Sequence, residues 1–519
     1  MKCYKKIKEV ITKRYKLFCM FFLFIFFLLL VLTSFNISAV IDEGTYVGLG
    51  YRYVLTLNFT ENSEHPPLGK LLFGTAQLIY KNFFDRNYVW HEHMPQKLSP
   101  SRLVVMLFSL LLAFFVFVWS KKLYGIKGGI LSLLFFIFTP EIIAHSSLAT
   151  LDLISAAFIF ISVYFFVRML EEPNKFKNAI LTGLFFGFAI STKFSSLLLF
   201  LIFPIIFLIF IFFNKDIIRF DLLKAYFFRF LTVFFISLTL FYSFYGFKDL
   251  EITKIKGMYV ILPKAAKEGL EFTKLHSSLG HSRVFGAKIY FFGKRYEDSL
   301  WYYYIIAFLI KMPIPILIAS FLLFFCPGNI RKEIYVLIPL VTYFIYFSFF
   351  VNINIGIRYI LPCFPFLFVL IGRLANFKDS KIIFLIFFLL VWLSIEVIVS
   401  FPNYLSYFNE FVGGSRNGYL FLSDSNLDWG QDIYKLGELS KKVDLICGNL
   451  FGGLTPNLNC VYIDCLDLDK ITNYRDKYFA ISVYYFTVDE RCEFLRNYKP
   501  DILVGNSIFV YNISRIMIV

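Results

Sequence analysis

Residues 17–50 read LFCMFFLFIFFLLLVLTSFNISAVIDEGTYVGLG. About twenty apolar residues run without a charge and end on two adjacent acids, Asp42 and Glu43. A run of that length crosses a bilayer as a helix. The acids then stand where it leaves the membrane. A basic start, MKCYKKIKEVITKRYK, precedes the run and the small residues SAV follow it, as in a signal peptide. The apolar stretch is longer than a signal core, so we read it as an uncleaved first span.

The rest of the chain repeats the pattern. Of 519 residues, 58% are hydrophobic and 70 are Phe, against about 45–50% apolar residues in soluble domains. Apolar runs fall near 17–37, 101–120, 127–145, 148–168, 178–193, 195–213, 225–246, 301–326, 333–351, 355–374 and 381–400. The expectation is a polytopic α-helical membrane protein with about eleven transmembrane helices. Two long polar loops, 38–100 and 247–300, interrupt them. Residues 1–401 read as one transmembrane domain and 402–519 as a small external α+β domain. Its strand-like runs are YFAISVYYF and DILVGNSIFVYNI, and a helix is expected around 430–441.

The net charge of +16 would suggest nucleic acid in a soluble protein. Here it follows topology. KKLYGIK (121–127), RMLEEPNKFK (168–177), NKDIIRFDLLK (214–224), NIRKE (329–333) and GRLANFKDSK (372–381) each hold two or three Lys/Arg. The short gaps on the other side hold only Lys193. That bias puts the N-terminus in the cytoplasm, and the long loops and the tail outside. Cys447, Cys460, Cys465 and Cys492 all fall in the tail. They allow three disulfide pairings, which sequence does not resolve, and their spacings match no common zinc site.

This topology gathers charges at one membrane surface. Asp42 and Glu43 leave the first span, Asp152 opens the fourth, Lys193 closes the fifth and Arg358 opens the tenth. Each has a bland alternative: a helix cap, a salt bridge or a snorkelling side chain. Lys311, beside Pro313 and Pro315, lies about ten residues into a span, roughly 15 Å at helical rise. Charge at that depth is costly and marks function or a firm structural partner.

Other motifs fail. DSNLDWG (424–430) starts like a calcium loop, but its glycine is one place late and Lys435 stands where a Glu is needed. WHEH (90–93) lacks partner ligands, and no phosphate-binding or dinucleotide glycine pattern is present. Acids and cations at a membrane surface suit transfer from a lipid-phosphate donor. A carboxylate takes the proton of an incoming hydroxyl, and cations hold the departing phosphate.

The ordered set IDEGTYVGLG, SEHPPLGKLL, LATLDLISAAF, STKFSSLLL, SLWYYYIIAFLIKMPIPILI, IGIRYILPCFPFL and FPNYLSYFNEFVGGSRNGYLFLSDSNLDWGQDIYKL resembles the dolichyl-phosphate-mannose-protein mannosyltransferase family. It is similar also to that family's bacterial relatives, which include the lipid A aminoarabinose transferase. The resemblance implies a GT-C-like fold and inverting transfer from a polyprenyl-phosphate sugar donor to a protein, lipid or glycan acceptor outside the cytoplasm. It implies Asp42 as base, Glu43 in support, Asp152 as the second acid, and His65, Lys70 and Arg358 near donor phosphate. Lys193 and Lys311 join these as cation candidates. No cofactor is demanded, and a divalent metal is left open. The loop 247–300 is far shorter than the inserted loop domain of eukaryotic protein mannosyltransferases. The runner-up is a lipid or polar-solute transporter or flippase, favoured by Lys311 and its prolines and disfavoured by the lack of an inverted repeat.

Overall fold

The computed structural model describes residues 2–86, 99–214, 220–255, 257–452, 458–465, 471 and 473–516. WHEH lies outside them. A backbone in lipid must satisfy its own hydrogen bonds, and apolar runs therefore become helices. Eight described helices are long and apolar enough to cross a membrane. A further apolar pair, Tyr303–Lys311 and Ile314–Phe325, is bent by 110° and brings the count to nine when taken as one span. Pro313 and Pro315 stand at the break, where the missing N–H and the ring prevent continuation.

One of the eight, Ser99–Ile137, contains two expected spans. Gly125 (φ 76) interrupts it. The Ser132 hydroxyl donates to Ser120 at 2.7 Å, although twelve residues of straight helix would separate them by about 18 Å. The two rods are therefore an antiparallel hairpin. The expected segment at 178–193 is a shorter helix, Lys177–Ile190. With these, every predicted apolar run has its helical counterpart.

The loop 38–100 is more regular than its polar composition suggested. It carries the helices Ile41–Thr56 and Leu68–Phe83. They cross at Gly50 and Gly74: a Cβ on Gly50 would lie 1.9 Å from the Lys70 carbonyl oxygen, and one on Gly74 2.1 Å from that of Gly50. Only glycine permits this approach. The loop 247–300 holds an antiparallel pair, β1 (Leu250–Ile255) and β2 (Met258–Pro263), then the helix Lys264–Leu279 and a hairpin of β3 (Ile289–Phe291) and β4 (Lys294–Tyr296).

The tail holds β5 (Leu445–Cys447), β6 (Cys460–Tyr462), β7 (Tyr478–Ser482), β8 (Ile502–Val504) and β9 (Ile508–Asn512), in sheet order β6-β5-β7-β9-β8. The expected helix is Ile433–Ser440. Disulfides join Cys447 to Cys460 and Cys465 to Cys492. Residues 402–431 pack against the membrane part. The Asn409 amide donates to the carbonyls of Leu309 (2.7 Å) and Met312 (2.8 Å) at the helix break, and Ile41 N–H donates to Trp429 O at 3.1 Å. This layer presses the tail onto one end of the bundle of spans.

Candidate active site

Four of the predicted charges meet. Asp42 lies in the first turn of Ile41–Thr56 and Asp152 in the first turn of Leu151–Glu171, positions where the helix dipole favours an anion. Lys193 occupies the extended break between Lys177–Ile190 and the next helix. Arg358 follows Gly356, where a Cβ would fall 2.2 Å from Ser425 Oγ. That glycine lets the 424–429 loop close over the arginine.

Arg358 Nη1 lies 2.8 Å from Asp42 Oδ2 and 3.5 Å from Asp152 Oδ2. Its Nε donates to Ser425 Oγ at 3.1 Å, and its guanidinium sits 4.2 Å from the centre of the Trp429 ring. Lys193 Nζ donates to Asp152 Oδ1 at 2.5 Å. Two anions and two cations thus form one chain, Asp42–Arg358–Asp152–Lys193. The Tyr46 hydroxyl donates to Asp42 at 3.3 Å. Asp42 keeps 24% of its side chain exposed whereas Asp152 keeps 3%; of the two acids, Asp42 is the one a substrate can reach.

Lys193 opens onto a small cleft of about 70 Å³, shared with Glu64, His65, His276 and Tyr359. The helix Lys264–Leu279 covers it: a Cβ on Gly269 would come within 2.0 Å of Ser63 O. The loop 247–300 and the tail therefore close the cluster from two sides. Burial holds the His65 imidazole well below its usual range, and Lys193 and Lys70 depress it further. Burial pushes the Glu64 carboxyl up. At neutral pH His65 is therefore an uncharged donor or acceptor.

Three other predicted residues are held elsewhere. Glu43 is fully buried in a two-pronged pair with Arg102, Nε to Oε1 at 2.8 Å and Nη2 to Oε2 at 2.7 Å. It also accepts from Val40 N–H (3.0 Å) and Ala149 N–H (2.6 Å). This carboxylate ties the loop to two spans. Lys70 donates to Asn62 O (2.6 Å), Asn62 Oδ1 (3.0 Å) and His65 O (3.3 Å); burial lowers its pKa to about 7. It ties the His-Pro-Pro loop to the helix that follows. Lys311 pairs with Glu141 at 2.7 Å and donates to Leu405 O (2.8 Å) and Asn426 O (2.6 Å). Two of its protons go to backbone carbonyls and its charge faces Glu141, which clamps the helix break.

Sequence reasoning passed over Arg102, Ser425, Trp429 and His276. Arg102 had a signal: it is a lone charge opening an apolar run. The others had none, because their partners are dozens to hundreds of residues away. Asp42 and Asp152 already share a guanidinium, and among the described residues no group of three or more His, Cys, Asp or Glu is arranged to hold a metal ion.

These observations define the class: a polytopic helical membrane protein with a chain of charges at one end of its spans. The crystal structure of ArnT from Cupriavidus metallidurans bound to undecaprenyl phosphate is similar over 95% of this chain and 97% of that one, at 13% identity and TM-score 0.51. Its apo state is similar over 97% and 99%, at 13% identity and 0.48. The protein O-mannosyltransferase Pmt1-Pmt2 complex of S. cerevisiae bound to the sugar donor matches over 54% and 38%, at 15% identity and 0.38. No curated protein matches the sequence. Residues 19–250 match the family model described as dolichyl-phosphate-mannose-protein mannosyltransferase.

Proposed function

We propose that the protein transfers a sugar, with inversion, from a polyprenyl-phosphate carrier to an acceptor at the outer membrane face. One observation carries the reading: a partly exposed carboxylate, Asp42, is held 2.8 Å from a guanidinium that also reaches Asp152. In the proposed step Asp42 accepts the proton of the acceptor hydroxyl. That oxygen bonds to the anomeric carbon as the carbon–phosphate-oxygen bond breaks, and the electron pair leaves with the carrier phosphate. Arg358 and Lys193 offset the growing charge, and His65 adds a neutral hydrogen bond. Asp152 orients both cations. Glu43, Lys70 and Lys311 hold the loops that carry these groups.

The supporting facts are the family match over residues 19–250 and the likeness to a structure that holds undecaprenyl phosphate. An apolar groove of about 470 Å³, lined by Val31, Phe35, Ile79, Leu103 and Leu107, adjoins Arg102 and offers a lipid chain a seat. The orientation rests on the basic loops, and the division at 401/402 on the external sheet. The acceptor is a protein, lipid or glycan.

The test is to offer labelled polyprenyl-phosphate sugar to purified protein without a membrane gradient. An enzyme releases carrier phosphate and labels an acceptor. Uptake that needs a gradient, with the donor intact, overturns the reading in favour of a carrier.

A further inference from the structure

The end of the bundle opposite Asp42 has its own cavity. It measures about 600 Å³ and lies where the N-terminal end of the first long helix meets the Ser99–Ile137 hairpin and the C-terminal end of Leu151–Glu171. One wall is apolar: Met20, Leu23, Phe114 and Phe117. The rim is basic: Lys16, Lys121, Lys122 and Arg168. Lys122 is bonded to Glu171 and Arg168 to Glu172. Lys16 and Lys121 have no carboxylate partner among the described residues. Lys121 donates to the Tyr15 hydroxyl at 2.9 Å and lies 4.1 Å from the centre of that ring, so its ammonium is fixed over the mouth with protons to spare.

We propose that this groove is a binding site for an anionic phospholipid, with its phosphate between Lys16 and Lys121 and an acyl chain along Met20, Leu23 and Phe114. Charge and shape argue together. Two unpaired ammonium groups at an apolar mouth match a headgroup that is anionic on top and hydrocarbon below. Met20 and Phe114 are 59% and 43% exposed, so the chain side of the groove opens towards the bilayer. The basic rim belongs to the side that the charge bias assigns to the cytoplasm, where anionic lipid attracts juxtamembrane Lys and Arg. The site is separate from the Asp42 cluster and does not depend on the proposed transfer reaction.

Native mass spectrometry of the full-length protein, released from detergent with equal phosphatidylglycerol and phosphatidylcholine, tests this. Wild type should retain one phosphatidylglycerol in preference to phosphatidylcholine, by roughly tenfold. The double variant K16Q/K121Q should lose the preference, and K378Q, an exposed charge on the same side, should keep it. Leu23→Trp fills the apolar wall and should also lose the lipid. Inorganic phosphate should not compete at millimolar concentration. Equal retention of the two lipids by wild type overturns the proposal without any variant. So does a preference that survives K16Q/K121Q, or one that survives Leu23→Trp, which would mean surface attraction alone.

Discussion

Asp42 and Glu43 are neighbours in one helical turn, yet they belong to different regions. Glu43 points into a closed network in which Arg102 and two backbone N–H groups satisfy both oxygens. Asp42 points into an open one, where Arg358 is shared with Asp152 and the site faces a cleft. Lys311–Glu141 is a buried ion pair at the helix break, although neither Glu141 oxygen accepts a hydrogen bond among the described residues, and Lys193–Asp152 belongs to the open region. Buried charge alone therefore does not mark chemistry. What distinguishes the open region is a carboxylate that stays partly exposed, since Asp42 keeps 24% of its side chain accessible.

The largest effect that could break this comparison is at Asp42. Asp42→Asn keeps shape and loses the base, so we expect transfer to fall by about 10²–10⁴ with an unchanged melting temperature. Near-normal turnover in well-folded protein would remove Asp42 from the chemistry. Next comes the closed network. Arg102→Met leaves Glu43 buried and unpaired, and the expected loss of stability is about 3–5 kcal/mol. Thermal unfolding in detergent reads it, and the double variant E43M/R102M should recover most of the loss. A stable Arg102→Met protein with lowered activity would place Arg102 in the open region instead. Glu43→Gln should cost activity less than Asp42→Asn; the reverse order would exchange the roles of the pair.

Arg358→Lys sharpens the open region. Lysine cannot reach Asp42, Asp152 and Ser425 from one planar group, so donor use should fall on the order of ten- to hundredfold. Full activity would mean that charge alone suffices there. The smallest effect concerns the cover. The His276 Nε2 and His281 Nδ1 atoms face each other at 3.2 Å. Burial lowers their pKa values to about 4 and about 3, with Arg358 adding to both and His276 to that of His281. Both values are depressed, so the folded cover binds fewer protons than the unfolded chain. Its stability is present above about pH 6.5 and is lost progressively as pH falls towards about 4. Hydrogen exchange over residues 264–285 should show the helix loosening in that window, and His281→Phe should flatten the profile. Exchange that is constant from pH 7 to 4 would contradict this.

The sequence by itself determined the membrane architecture, because a backbone in hydrocarbon has almost no alternative to the helix and apolar runs declare their own lengths. It determined the hairpin too, through KKLYGIK, and the helix break, through Pro313 and Pro315. Asp42, Asp152, Lys193 and Arg358 were legible as charges placed by topology at one surface. Only the tertiary structure decided which of the eight candidate residues stay open. Glu43, Lys70 and Lys311 were indistinguishable from the others by residue type and depth. Their partners, Arg102, the Asn62 and His65 carbonyls, and Glu141 with the 405 and 426 carbonyls, are brought in by packing. The same holds for the helices inside the 38–100 loop, where Gly50 and Gly74 fit each other only across a crossing. It holds also for the tail disulfides, which four cysteines permit in three ways and the β5–β6 pairing settles. Local pattern fixes what a segment must bury. Which charges then find a complete set of partners is a property of the assembled fold, since hydrogen bonds and ion pairs are made over a few ångströms of space and not along the chain.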